Sequence, residues 1–128
     1  MTSITILQSA ADARPDWVGR CMTSVADWSN RRGYKYNYIG DDIFDLVTSE
    51  SRDKLQHRSP ILADLARLRW IESELAACGG LVVWIDADTL VVNPGWCVPN
   101  SAHTFFGEEC WVQPTAAGAW RAYHSPHN

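Results

Sequence analysis

The sequence predicts an α/β protein whose mostly parallel sheet is flanked by helices. Segments typical of strands and segments typical of helices alternate along the first two thirds of the chain, which is the pattern of a parallel sheet. An apolar run over residues 81–85 then ends in two aspartates, as expected of a buried strand. With 128 residues, 46% of them hydrophobic, the chain can bury a core, so we predict one domain over residues 1–128.

The first half of the chain provides two strands and a helix. Residues 4–8 (ITILQ) are rich in β-formers and predict a first, buried strand. Residues 17–32 predict a helix that Gly33 ends, because apolar residues recur there at spacings of three and four. Those residues are Val18, Cys21, Met22, Val25 and Trp28. Residues 34–39 (YKYNYI) alternate aromatic and polar side chains and predict a second strand.

A long helix precedes the third strand. Residues 50–57 predict a short polar helix, and residues 60–78 predict a long one. Ser59 suits the N-cap of the long helix, and Pro60 suits its first position. The following Gly79-Gly80 pair ends it.

The third strand and several shorter ones follow. The apolar segment that begins at Leu81 predicts a strand that carries Asp86 and Asp88 at its end. Further short strands are predicted near residues 104–106, 111–113 and 120–123.

Composition excludes several classes of protein. The net charge of −4 disfavours nucleic acid as a partner, because binding to phosphate backbones needs a basic surface. No segment has the roughly 20 apolar residues of a transmembrane helix, and the N-terminus does not resemble a signal peptide. Four cysteines occur without a CxxC pair. Free thiols, and hence a cytoplasmic location, are therefore predicted, although an even number also permits two disulfides.

A zinc site is an alternative use of some of these residues. Cys97, His103, Cys110 and His124 are of the types that bind zinc, but their spacing matches no common zinc motif.

The aspartate pair is the first indication of a binding site. In a strand, Asp86 and Asp88 face one way and Ala87 faces the other. Carboxylates at the end of a buried strand need a cation, and a hard divalent ion that also binds phosphate is the obvious one. In parallel sheets, ligands bind beyond the carboxyl ends of the strands, where these residues are predicted to lie. Alternatively, Asp88 caps the turn into Thr89.

The long helix provides the second indication. At 100° per residue its apolar side chains form one stripe, which we predict to be buried. The stripe consists of Ile61, Leu65, Leu68, Ile71, Leu75 and Cys78. Asp64 falls near the middle of the stripe and Arg67 at its edge, whereas Trp70 falls on the far side. A carboxylate on a buried face needs a partner or a ligand, and the simpler possibility is that Asp64 pairs with Arg67 or with backbone amides.

The segment 59–92 resembles the core signature of DxD glycosyltransferases of the GT-A fold. It is closest to the families of bacterial and fungal sugar-transferring enzymes and of glucosylating toxins. Those families share a helix with an Asp-x-x-Arg pair, a Gly-Gly turn and a strand that ends in Asp-x-Asp. The matching residues here are Asp64, Arg67, Gly79, Gly80, Asp86 and Asp88. The resemblance implies a GT-A-like sheet and a metal-dependent glycosyltransferase, usually of the retaining type.

The resemblance also implies ligands and residue roles. The donor is a nucleotide sugar, usually a UDP-sugar, bound with Mn²⁺ or Mg²⁺, and the acceptor is not specified. Asp88 ligates the metal directly. Asp86 contacts the ribose or donor sugar and reaches the metal through water, with Ala87 beside it. Asp64 and Arg67 hold the sugar hydroxyls and the region near the phosphates, which makes them the candidate catalytic residues.

The first strand is implied to contribute to the donor site as well. Residues 7–11, which begin with Leu7 and Gln8, would line the nucleoside.

This sequence departs from the family pattern at its C-terminal end. GT-A domains of this kind continue well beyond the DxD strand and take their acceptor site, and usually another metal ligand, from that part. The resemblance therefore implies a sheet that is incomplete at the C-terminus: a donor-binding fragment or a truncated paralogue that self-associates through the exposed surface. His124 and His127 are candidate late metal ligands, with surface positions the simpler alternative.

Two other functions remain as alternatives. One is a non-catalytic module that binds a nucleotide sugar. The other is a haloacid-dehalogenase-type phosphatase, whose first motif is also a strand that ends in DxD. The phosphatase motif is less well matched, because Leu90 stands where it has Thr or Val and no lysine follows Lys54.

Overall fold

The computed structural model describes residues 2–56, 58–100 and 103–125, which form two compact units, Met1–Val98 and Pro99–Asn128. The first unit contains a three-stranded parallel sheet flanked by helices. This confirms the predicted α/β class and the parallel sheet. The single domain over residues 1–128 and the GT-A relationship stay predictions.

The first unit alternates strands and helices. Strand β1 (Ile4–Ser9) is followed by helix α1 (Asp16–Arg32) and strand β2 (Lys35–Ile39). After a 3₁₀ helix (Asp41–Leu46) and helix α2 (Ser49–Lys54), helix α3 (Ser59–Cys78) leads into strand β3 (Leu81–Trp84). The three strands and the long helices were predicted, whereas the 3₁₀ helix was not. Residue 57, the last of the predicted short helix, lies outside the described residues.

Strand β1 lies at the centre of the sheet. The strand order is β2-β1-β3, and both pairings are parallel. Ile6 is in register with Tyr36 on one side and with Val83 on the other. Because all three strands run the same way, their carboxyl ends lie along one edge of the sheet.

Each face of the sheet has its own core, because successive residues of β1 point to opposite faces. Leu7 packs with residues of the 3₁₀ helix and α3, and Ile6 packs with residues of α1 and with Val98. The first cluster contains Leu7, Ile43, Val47, Leu62, Ala66 and Trp70. The second contains Ile6, Val25, Trp28 and Val98.

The predicted buried stripe of α3 was only partly right: Leu65 and Ile71 pack against the first core cluster, but three other residues of the stripe are exposed. Ile61, Leu68 and Leu75 are 42%, 60% and 48% exposed. The residues that α3 buries are instead Leu62, Ala66 and Trp70. They recur every four residues, and the small Ala66, fully buried, allows the helix to approach the sheet closely. Trp70, predicted on the far side, therefore belongs to the core, and Asp64 is exposed.

The ends of α3 differ in how well they were predicted. Arg58 is the N-cap residue, so Ser59 begins the helix and does not cap it. The C-terminal stop at Gly79 is confirmed, with a φ of 60° in the left-handed region that favours glycine. At Gly80 a side chain would not fit, because its Cβ would lie 2.2 Å from the backbone oxygen of Ser3.

The second unit contains an antiparallel pair, β4 (Glu109–Pro114) and β5 (Trp120–Ser125). These strands confirm the predictions near residues 111–113 and 120–123. Residues 104–106, also predicted to be a strand, are not in one. None of the helices in the described ranges is long and apolar enough to cross a membrane. All four cysteines are free thiols, of which Cys21 is buried, Cys78 is half-buried, and Cys97 and Cys110 are exposed.

Candidate functional site

A cavity of about 280 Å³ lies at the edge of the sheet where the strands end. It is formed by the residues that follow β1 and β2, by the last part of β3 and by the first turns of α3. Its lining consists of Ser9, Ala10, Ala11, Gly40, Asp41, Ile43, Phe44, Ala63, Asp64, Arg67, Trp84 and Asp86. This is the edge at which open parallel sheets bind ligands.

Arg67 connects the two acidic parts of this cavity. Its Nη2 lies 3.0 Å from Oδ1 of Asp64, and its Nη1 lies 3.7 Å from Oδ1 of Asp86. Its guanidinium carbon also lies 5.5 Å from the centroid of the Trp84 ring. The structure thus brings together three residues that the sequence singled out. Because these side chains are partly exposed, each ion pair contributes little stability, and their main effect is to orient the guanidinium.

Asp86 is held at both its side chain and its main chain. The indole nitrogen of Trp84 donates a 2.7 Å hydrogen bond to Oδ1 of Asp86. The main-chain oxygen of Asp86 accepts hydrogen bonds from Gln8 Nε2 and from the Thr89 amide, both 3.1 Å long. The carboxylate therefore has a defined position without any ligand.

The carboxylate of Asp88 is less constrained by neighbouring side chains than that of Asp86. Strand β3 ends at Trp84, so both aspartates lie in the turn beyond it and the two-residue alternation of a strand does not govern them. Asp88 is exposed, and Ala87 beside it is half-buried. Within the described ranges, the Asp88 carboxylate has no ion pair or hydrogen bond, which leaves it available to a ligand.

Asp86 and Asp88 are the candidate ligands for a metal in this turn. The described residues contain no group of three or more His, Cys, Asp or Glu side chains that would hold a metal by themselves. Mg²⁺ is commonly bound by one or two carboxylates, with phosphate oxygens and water as the other ligands. Asp88 would supply the free carboxylate and Asp86 the second, because Trp84 and Arg67 approach only one of its oxygens.

Leu7 and Gln8, both expected to line the nucleoside, are fully buried. Leu7 belongs to the core between the sheet and α3. Gln8 forms hydrogen bonds with Asp86 and Tyr36. The residues of this segment that line the cavity are Ser9, Ala10 and Ala11.

A half-buried tyrosine is the second partner of the Gln8 side chain. The hydroxyl of Tyr36, on β2, donates a 2.9 Å hydrogen bond to Oε1 of Gln8. Burial raises the pKa of Tyr36 above its ordinary value of 10.0; the nearby Tyr38 raises it further, and Arg14 opposes this.

Several lining residues were not singled out in the sequence. Trp84 was counted with the apolar strand, and the signal for its role was its position two residues before Asp86. Asp41 and Gly40 follow β2, and their position after a strand was the available signal. Gly40 also lies close to the loop after β1, since a Cβ there would be 1.9 Å from Oδ1 of Asp12.

The histidines and cysteines of the predicted zinc alternative do not form a ligand set in the described part of the chain. Cys97 lies in the first unit, whereas Cys110 and His124 lie in the second. His124 Nδ1 lies 3.2 Å from Oε1 of Glu108. His127 lies outside the described residues.

No protein family, no curated protein and no solved structure matches the chain. The geometry of the site is therefore the basis for any functional conclusion.

Proposed function

We propose that this chain is the donor-binding part of a metal-dependent, retaining glycosyltransferase that uses a nucleotide sugar, most simply a UDP-sugar. The observation that carries the proposal is the position of Arg67 between Asp64 and Asp86, in a cavity at the carboxyl ends of parallel strands. The free carboxylate of Asp88 on the adjacent turn supports a role for Mn²⁺ or Mg²⁺. A sheet of strand order β2-β1-β3 is compatible with a GT-A-like fold.

The side chains of the cavity match the parts of such a donor. Carboxylates accept hydrogen bonds from sugar hydroxyls, and Asp64 and Asp86 would do this on either side of the guanidinium. Arg67 would donate to phosphate oxygens, for which its planar group is suited. These contacts would hold the sugar so that its anomeric carbon faces an acceptor.

Departure of the nucleoside diphosphate is the step that needs charge stabilisation. When the sugar–phosphate bond breaks, negative charge develops on the leaving phosphate. Arg67 supplies one positive charge there. A divalent ion held by Asp88 and Asp86 would supply more as a Lewis acid.

A non-catalytic module that binds nucleotide sugars is the second candidate. It needs only the charged side chains that would hold the donor, those of Asp64, Arg67 and Asp86, and no nucleophile. The same residues would then bind the donor without cleaving it. For either function the four free cysteines support a reducing compartment, and we propose the cytoplasm.

Calorimetry with UDP and Mn²⁺ tests the shared part of both proposals. The wild type is expected to bind UDP more tightly with Mn²⁺ than without it. In Asp88→Asn that gain should fall by about tenfold or more, because the free carboxylate is lost. Asp27→Asn is the matched control, since Asp27 is an exposed aspartate on α1 and does not line the cavity. Undiminished metal-dependent binding in Asp88→Asn would contradict the metal site.

Turnover separates the two candidates. Hydrolysis or transfer of a panel of UDP- and GDP-sugars, measured with and without Mn²⁺, should show metal-dependent release of the nucleoside diphosphate by an enzyme. Tight binding without release would instead identify a binding module.

A further inference from the structure

Gln8 is a fully buried amide with a hydrogen-bond partner at each end. Its Nε2 donates to the main-chain oxygen of Asp86 at 3.1 Å, and its Oε1 accepts from the Tyr36 hydroxyl at 2.9 Å. A main-chain carbonyl only accepts hydrogen bonds, so the nitrogen of the amide must face Asp86 and the oxygen must face Tyr36. The Asp86 carbonyl thus fixes which way the amide points, and the tyrosine hydroxyl, which can donate or accept, donates to Oε1.

This amide extends the pairing of β1 with β3 beyond the end of β3. The last main-chain hydrogen bond between them runs from the Ile85 amide to the oxygen of Leu7, at 3.1 Å. The next residue of β1 is Gln8, and its side chain, not its backbone, reaches Asp86. The connection therefore continues where the chain leaves the sheet to form a turn.

The carbonyl that Gln8 contacts also closes this turn. The Thr89 amide donates to the same Asp86 oxygen at 3.1 Å, and the turn between them carries Ala87 and Asp88. Two donors thus converge on one acceptor. Asp88 has no partner of its own among the described residues, so its position depends on the turn that holds it.

We propose that Gln8 is a positioning residue that sets the place of the Asp88 carboxylate through the main chain of Asp86. It contacts no ligand, because it has no exposed surface. The functional part of this inference rests on the proposed metal role of Asp88, whereas the control of the turn by Gln8 does not. Loss of the amide would release the turn and leave the Tyr36 hydroxyl without its acceptor.

Amide hydrogen exchange on the ligand-free protein tests the control of the turn. In Gln8→Met, which keeps the length of the side chain, Thr89 should exchange about five- to tenfold faster, the effect of losing one hydrogen bond. The amides of Leu81 and Ile85, which donate to the main-chain oxygens of Ser3 and Leu7, should keep their wild-type rates. Equal acceleration at all three amides, or none at Thr89, would overturn the proposal.

The wild type provides a measurement that needs no variant. The side-chain NH₂ of Gln8 should exchange far more slowly than those of Gln56 and Gln113, which are exposed. Equal rates for the three would overturn the proposal even if Gln8→Met does not fold. Gln8→Asn is a second variant, which keeps an amide that is too short to reach both partners and should also release Thr89.

Binding separates this inference from the proposed function. In calorimetry with UDP and Mn²⁺, Gln8→Met or Gln8→Asn should bind about tenfold more weakly than the wild type, as losses of partners behind metal ligands do. A released turn with unchanged affinity would overturn the positioning role. If the wild type binds neither UDP nor Mn²⁺, the proposed function and the role of Gln8 in it fail together. The exchange rates then still decide whether Gln8 holds the turn.

Discussion

At the scale of single residues, a contact within the site could be predicted where the spacing of the two residues along the sequence determines it. Asp64 and Arg67 are three apart on a helix, so their ion pair follows from helical geometry. The contact of Arg67 with Asp86 joins α3 to the end of β3, and the resemblance indicated only that both belong to one site. Trp84 was missed as a site residue, although it lies two residues before Asp86, because an apolar ring at the end of a buried strand suits a core equally well.

The burial of Tyr36 makes the stability of the protein sensitive to alkali. Because its pKa is raised above 10.0 in the native state, the unfolded chain loses this proton first as the pH rises. The free energy of unfolding should therefore fall as the pH rises through the unfolded value. Tyr36→Phe removes this contribution, so its stability should decline less. Urea unfolding of both proteins between about pH 8 and pH 11 measures the difference, and parallel declines would contradict it.

At the scale of elements, the existence of α3 was predictable but its orientation was not. The helix has apolar residues on more than one side, and hydrophobic periodicity alone favoured the stripe richest in leucine and isoleucine. Packing against the sheet selected a neighbouring face, on which Ala66 lies between Leu62 and Trp70. Which of two apolar faces is buried depends on the shape of the partner surface, and a helical pattern contains no information about that surface.

Two leucines of α3 test this orientation with the same substitution. Leu62 is 6% exposed and Leu68 is 60% exposed. Leu62→Ala should lower the free energy of unfolding by about 2–5 kcal/mol, because it leaves a cavity in the core. Leu68→Ala should change it by no more than about 0.5 kcal/mol, as expected at a surface position. Chemical denaturation of both variants measures the two values, and similar losses would show that the stripe containing Leu68 is also buried.

At the scale of the whole molecule, the alternation of elements was enough to predict the class of fold. The division into two compact units was not evident from the sequence, because no low-complexity linker marks residues 98–99. The residues of both core clusters lie within Met1–Val98. The cavity lies there too, so the parallel sheet and the candidate site share one unit.

A polypeptide of residues 1–98 should accordingly fold by itself. It keeps Val98 in the core and keeps Trp96, whose ring stacks on Trp28 with centroids 5.4 Å apart. Near-UV circular dichroism and a single cooperative unfolding transition would show this. A polypeptide of residues 1–94 is the matched comparison and should be less stable, because it lacks both contacts. Failure of residues 1–98 to unfold cooperatively would show that the remaining residues are needed.

The central position of β1 has a consequence for the order of folding. β1 pairs with β2 after only one intervening helix, but it meets β3 only after most of the first unit has been made. Closing so long a loop is slow compared with local pairing. The cavity, which needs the ends of all three strands, can therefore appear only late in folding. During synthesis, the chain can form this edge only after β3 has been made.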